Sequence, residues 1–217
     1  MAQDTGGDCE RLRVDAARNR DRILDAARLA FAEHGTDVAL EEIARQAGVG
    51  IATLYRRFPT RAELFAAAFE PRKAAYIEAT QVAQAEPDPW LAFSGFVRTV
   101  SAMQAADCGF ADVLALNFPT TPELDRELRR ATTGIGDVIE RAQAAGVLRA
   151  DFVLQDLVLL HMANAGVINA TKKYAPKAWE RFTTYMLDSF RAPGASELPK
   201  PMTRSRLALA VRRSGRP

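Results

Sequence analysis

Between Arg45 and Arg61 the chain carries four arginines (Arg45, Arg56, Arg57, Arg61) and no acidic residue. The first 70 residues as a whole hold ten basic and twelve acidic side chains, so this window is a local positive island in a slightly negative region. Guanidinium groups at such density are the chemistry of phosphate and base-edge recognition, because each is a permanent cation with a planar fork of donors. On an ordinary solvated helix face the same four arginines would have no partner at all, so spacing must decide between the two readings. Other chemistries have less to stand on. The chain has two histidines, His34 and His161, and two cysteines, Cys9 and Cys108, none at metal-ligand or nucleophile-base spacing from another. No glycine-rich phosphate loop or nucleophile elbow is present. The expectation is therefore no catalytic residue, no metal and no cofactor.

Net charge supports a local rather than a global reading. The 217 residues have a formal charge of +2, but residues 1–70 and 71–190 are each −2 and residues 191–217 are +6. The basic balance belongs to the end of the chain. Apolar residues make up 48% and charged residues 26%, which is ordinary globular composition. No stretch approaches the roughly 18 consecutive apolar residues of a membrane span, and residues 1–22 lack the apolar core of a signal peptide. A cytoplasmic protein without membrane contact is expected. Cys108 has no basic neighbour in sequence, so a buried inert thiol is the simpler expectation for it.

Apolar residues recur at three and four rather than at two, which predicts an all-α chain. A first helix is expected from Asp15 to His34, closed by Gly35. A second covers 40–47, and Gly48-Val49-Gly50 separates it from a third that ends near Phe58, where Pro59 stops it. Thr60-Arg61-Ala62-Glu63 has capping-box spacing and opens a fourth helix reaching about Ala83. Asp88-Pro89 and Thr121-Pro122 each place a capping residue before proline at the first helical position. Further helices are predicted near 88–105, 109–116, 122–145, 152–174 and 176–191, with Gly146 ending the third of these. Four domains of behaviour follow: a flexible arm over 1–14, a three-helix unit over 15–70, a helical body over 71–191, and a basic flexible tail over 192–217.

The second and third helices satisfy what a helix-turn-helix requires. Ala44 and Ala47 keep the crossing thin, Ile43 supplies core, Gly48 permits the left-handed turn, and Val49 plugs it. At 100° per residue, Ile51, Leu54, Tyr55 and Phe58 share the buried arc of the third helix, with Tyr55 at its margin. Thr53 and Arg56 point the opposite way, flanked by Ala52 and Arg57, as on a helix that enters a major groove.

The 25-residue run from Leu40 through Gly48-Val49-Gly50 and Thr53-Leu54-Tyr55-Arg56 to Leu64 resembles the signature of TetR-family transcriptional regulators. With the first helix the resemblance covers residues 15–70; beyond them only length and helical character agree. The resemblance implies that Thr53 and Arg56 face bases, that Ala52 allows close approach, and that Tyr55 and Arg61 hold phosphates, with Arg57 and Arg45 as further phosphate contacts. Two departures are visible. Many relatives open the second helix with a hydroxyl residue where this chain has Val38-Ala39, leaving Thr36 or Asp37 to cap it. Gly50 stands where a serine is common and offers only backbone amides.

The resemblance further implies a C-terminal helical domain for ligand binding and dimerisation. Residues 152–168 are apolar almost all round, and Trp179, Phe182, Tyr185, Met186 and Phe190 recur at three and four. Two such helix pairs about a two-fold axis would form a four-helix interface, making the protein a homodimer through its last two helices. Candidate ligand-binding residues are Trp90, Phe93, Phe96, Met103, Phe110, Leu114, Phe118, His161 and Asn164, any of which could equally be core. His161 and Asn164, one turn apart in an apolar helix, are the polar pair a small-molecule site would use. The expected protein is a repressor on a near-palindromic double-stranded operator, released by an unknown small-molecule effector. An activator, an effector-independent regulator, or an all-α binding protein with a structural helix-turn-helix are the alternatives.

Overall fold

A computed structural model of the chain describes residues 5–34, 38–106, 122–192, 196–203 and 205–207. Eight helices lie among them: α1 (Thr5–His34), α2 (Leu40–Gln46), α3 (Ile51–Arg57), α4 (Arg61–Ala85), α5 (Pro89–Ala106), α6 (Pro122–Ala144), α7 (Leu154–Thr171) and α8 (Ala178–Phe190). No strand is named among the described residues, where an isolated antiparallel bridge pairs Leu148 with Arg191. The helix expected over 109–116, Gly35 as a cap, the alternative caps Thr36 and Asp37, and Cys108 all fall outside the described residues.

Contacts divide the chain into two units that part between Glu70 and Pro71. In the first, α1 and α4 are held by aromatic packing. Phe31 meets Phe65 edge-on at 5.3 Å, and Phe65 stacks on Phe69 at 4.3 Å. The Arg28 Nε donates to the Ala68 carbonyl at 3.0 Å across the same seam. Ile23, Ala27, Ile43, Leu54 and Leu64 complete this core, each excluded from solvent.

The helix ends follow local chemistry. Gly48 and Gly146 adopt φ of 64° and 68°, the left-handed conformation that residues with a Cβ avoid. At each, paired bonds close the helix: Val49 N to Ala44 O with Gly48 N to Arg45 O, and Val147 N to Ala142 O with Gly146 N to Gln143 O. Asp88 Oδ1 accepts from Leu91 N at 2.8 Å and starts α5. Thr60 Oγ1 accepts from Glu63 N at 3.1 Å at the start of α4. Ala39 precedes α2 with no side-chain cap.

One expectation is corrected. The segment expected as a flexible arm is helical from Thr5 onward, so α1 starts ten residues before Asp15. Extending an existing helix costs far less than nucleating one, and no proline lies between Thr5 and Asp15 to stop it. Pro71 sits inside α4. The helix passes through a residue that cannot donate its own backbone bond.

The second unit is built on a cluster of rings. Phe93 packs edge-on against Phe152 at 5.2 Å, and Phe152 against Phe190 at 5.0 Å, tying α5 to the α6–α7 turn and to α8. Gln143 Nε2 donates to the carbonyls of Arg149, Ala150 and Phe152, which fixes that turn. Arg141 donates to the carbonyls of Ala83, Gln84 and Glu86, so the unsatisfied last turn of α4 is capped from α6.

The tail is also corrected in part. Arg149, itself buried, pairs with Asp151 through two nitrogens and donates to the Ser196 carbonyl, while Asp151 Oδ2 accepts from Leu198 N at 3.0 Å. The Arg149 hydrogen bond and the Leu198 amide hold the Asp151 carboxyl well below the usual range. Leu207 is buried as well. Residues 196–198 are therefore tethered rather than free. Asp151→Asn and Arg149→Ala should each speed trypsin cleavage after Arg206 several-fold at equal global stability, read by mass spectrometry of limited digests.

Candidate nucleic-acid interface

α3 has seven residues, too few to be helical alone in water, so its position comes from burial. Leu54 is fully buried and Phe58 nearly so, and these two fix the inward side. The turn leading into it is set by Gly48, and Gly50 O accepts from Thr53 N at 2.9 Å and Leu54 N at 3.2 Å to begin the helix. Ala52, Arg56 and Arg57 are exposed and Thr53 is half-buried, so the outward face has a small residue at its start and two arginines at its end. Gly50 is exposed and caps α3 without a side chain.

Tyr55 differs from its expected place in the buried arc. It is 45% exposed, because the seam of α3 runs through Leu54 and Phe58 and leaves position 55 on the shoulder.

The four arginines separate into two kinds. Arg45 is engaged by Glu42 through two nitrogens, Nε to Oε2 at 2.9 Å and Nη2 to Oε1. That hydrogen bond lowers the Glu42 pKa and raises that of Arg45. Part of the charge expected to meet phosphate is thus neutralised on the protein. Arg61 directs Nη1 to the Val38 carbonyl and so also anchors the lead-in to α2. Arg56 and Arg57 on α3 are the exposed cations on the outward face itself.

Arg20 and Arg22 were missed by the spacing argument. Arg20 holds its guanidinium 6.0 Å above the Phe58 ring at the end of α3. Arg22 Nη1 lies 3.7 Å from where a Cβ on Gly48 would stand, beside the turn of the helix-turn-helix. Both come from α1, thirty or so residues away, and no local pattern points to them.

The expected ligand-binding residues do not gather at one place. Phe96 and Met103 line a cavity of about 350 Å³ between α4 and α5, together with Ala79, Val82 and Leu91. Phe93 is core, and Trp90 is stacked under Arg191 at 4.2 Å. His161 and Asn164 are buried between α5 and α7, where Gln104 Nε2 donates to the His161 carbonyl and Gln104 Oε1 accepts from Asn164 Nδ2. Phe110, Leu114 and Phe118 lie outside the described residues. Among the described residues no cluster of three or more metal-ligating side chains occurs, and no helix is long and apolar enough to cross a membrane.

The family model described as bacterial regulatory proteins, tetR family, matches residues 23–68, and that described as transcriptional regulator SbtR-like, C-terminal domain, matches residues 88–192. An HTH-type transcriptional regulator of Staphylococcus aureus (strain USA300) is 39% identical over 54 residues, 24% of this chain. That match spans 29% of the length of the curated relative. A TetR transcriptional regulator from Streptomyces coelicolor is 32% identical, with 81% of this chain and 99% of that one covered and a TM-score of 0.45. A TetR family regulator from Marinobacter aquaeolei VT8 has the same fold at 18% identity, with a TM-score of 0.57 over 84% of this chain and all of the other.

Gly48→Ala tests the turn on which the interface depends. An added Cβ has room, since the nearest atom is 3.7 Å away, so the cost is conformational: about 1–2 kcal/mol of stability. Urea denaturation should show this loss, with the transition otherwise unchanged in shape.

Proposed function

The chain belongs to the TetR family of transcriptional regulators, and from that premise we propose that it is a homodimeric repressor whose α3 helices enter successive major grooves of a near-palindromic operator. The observation that carries this reading is the outward face of α3, with Ala52, Thr53, Arg56 and Arg57 clear of the core that Leu54 and Phe58 occupy. Ala52 allows the helix to approach base edges closely. Arg56 supplies the donor fork for a purine edge and Thr53 a hydroxyl at the same depth. Tyr55 and Arg57 flank them toward phosphates, with Arg61 and the α1 arginines at the margin. Arg45 contributes less because Glu42 holds it.

Dimerisation is supported by the outer face of α7 and α8. Leu159 is 38% and Tyr185 57% exposed, and Ala163, Gly166 and Ala170 continue the exposed side of α7 at spacings of three and four. Phe182 and Met186 are only half-buried beside them. A second copy of the same two helices, related by a two-fold axis, would cover this face with small residues at the crossing. The effector would bind in the helical body and act through α4, which contributes residues to both units.

Fluorescence anisotropy with DNA from immediately upstream of the coding sequence, against scrambled DNA and across a salt series, tests the reading. Thr53→Ala and Arg56→Ala should each cut the preference for the operator about tenfold. Tyr55→Phe and Arg57→Ala should weaken both DNAs alike by a few-fold, and Arg57→Ala should also flatten the salt dependence. Full discrimination in the Thr53 and Arg56 variants would refute the assignment of the recognition face. Leu159→Asp should yield a monomer in analytical ultracentrifugation, with operator affinity falling at least tenfold while the helical content is retained.

A further inference from the structure

The α5–α7 seam of the second unit contains an anomaly that apolar packing does not explain. Ser101 Oγ, both ring nitrogens of His161 and Asn164 Oδ1 are buried with no hydrogen-bond partner. Thr183 Oγ1, on the buried face of α8, is in the same condition. Each orphaned group costs on the order of 1–3 kcal/mol relative to a paired one, and native cores contain few of them. Here they come from neighbouring turns of two helices that are already bonded to each other. Asn164 Nδ2 donates to Gln104 Oε1 at 2.9 Å and reaches the Ser101 carbonyl at 3.5 Å, and Gln104 Nε2 donates to the His161 carbonyl at 3.1 Å.

That bracing determines what is left over. Gln104 uses both ends of its amide on α7 and so sets the orientation of Asn164, whose Oδ1 remains as an acceptor. Ser101 offers a hydroxyl that can donate or accept. His161 is fully buried, and burial pushes its pKa down to about 3, so the imidazole is neutral with one donor and one acceptor. On the same two helices Val97, Val100, Leu157, Leu160 and Ile168 are buried and apolar. Arg149 is the one buried side chain of fixed charge among the described residues, and it is occupied by Asp151 and Ser196.

We infer that Ser101, His161 and Asn164 form the anchoring site for an uncharged polar group on an apolar small molecule, a hydroxyl, carbonyl or amide, with Gln104 as the positioning residue. The inference rests on the effector reading above and gives that effector a chemical class. A carboxylate or ammonium group is disfavoured because no buried side chain among the described residues is free to neutralise it. An uncharged head that both donates and accepts would satisfy several orphaned atoms at once, and a site built on such atoms rejects molecules that leave them unpaired.

Four probes with one tail and different heads test this on the full-length protein: decan-1-ol, decanamide, decanoate and decylammonium, followed by tryptophan fluorescence and melting temperature. The alcohol and the amide should bind at least tenfold more tightly than the two ions. His161→Phe and Ser101→Ala should each lose at least tenfold in affinity for the alcohol, while the ligand-free variants melt no lower than the parent. Equal or tighter binding of either ion, binding of no probe, or undiminished alcohol binding in both variants would overturn the inference. DNA anisotropy on the same samples separates it from the regulatory reading. An alcohol that binds yet leaves operator affinity unchanged upholds the site and refutes effector release. A different small molecule that still releases DNA from the His161→Phe protein upholds release and refutes this site.

Discussion

The insertion of Leu54 and Phe58 into the first unit is the constraint on which the proposed DNA-facing chemistry depends. Seven residues make two helical turns, and such a segment has no stability of its own. Its rotation about its axis is decided by which two side chains are driven from water, and with 54 and 58 inward, positions 52, 53, 56 and 57 must face out. The aromatic seam of Phe31, Phe65 and Phe69 braces the wall against which the short helices lie. The outward face is thus a by-product of burial: the core sets the angle, and the exposed residues inherit it.

The local devices were readable from the chain because each is contained within a few residues. Gly48 and Gly146 close helices since only glycine tolerates the conformation required, and Asp88-Pro89 opens one since the aspartate bonds the amide three residues on. What escaped reading involves partners far apart in sequence. Arg20 and Arg22 reach the helix-turn-helix from α1, Arg149 holds Ser196 from 47 residues away, and Arg141 caps α4 from α6. Steps of 100° put Tyr55 at the margin of the buried arc, and its 45% exposure sets it on the outer side of that margin. Pattern gives a direction, whereas only packing says where the seam ends.

The candidate ligand residues show the same limit in another form. Their aromatic and aliphatic members were chosen as plausible pocket walls, and those described are divided between a groove beside α4 and the ring cluster of the core. The polar pair behaved differently. His161 and Asn164 were notable for being polar in an apolar helix, and they emerge as the buried, unsatisfied part of the second unit. A polar residue inside is costly, so its presence carries more information than one more phenylalanine does.

Pro71 has a consequence for synthesis. Every described residue of the first core, from Ile23 to Phe69, precedes it. At about 5–20 residues per second, the ribosome would deliver that whole apolar set many seconds before the last helices exist to be packed. With its aromatic seam complete two residues before the proline, the amino-terminal third is arranged to fold as the chain emerges, leaving the apolar face of the carboxy-terminal helices as the last surface to find cover.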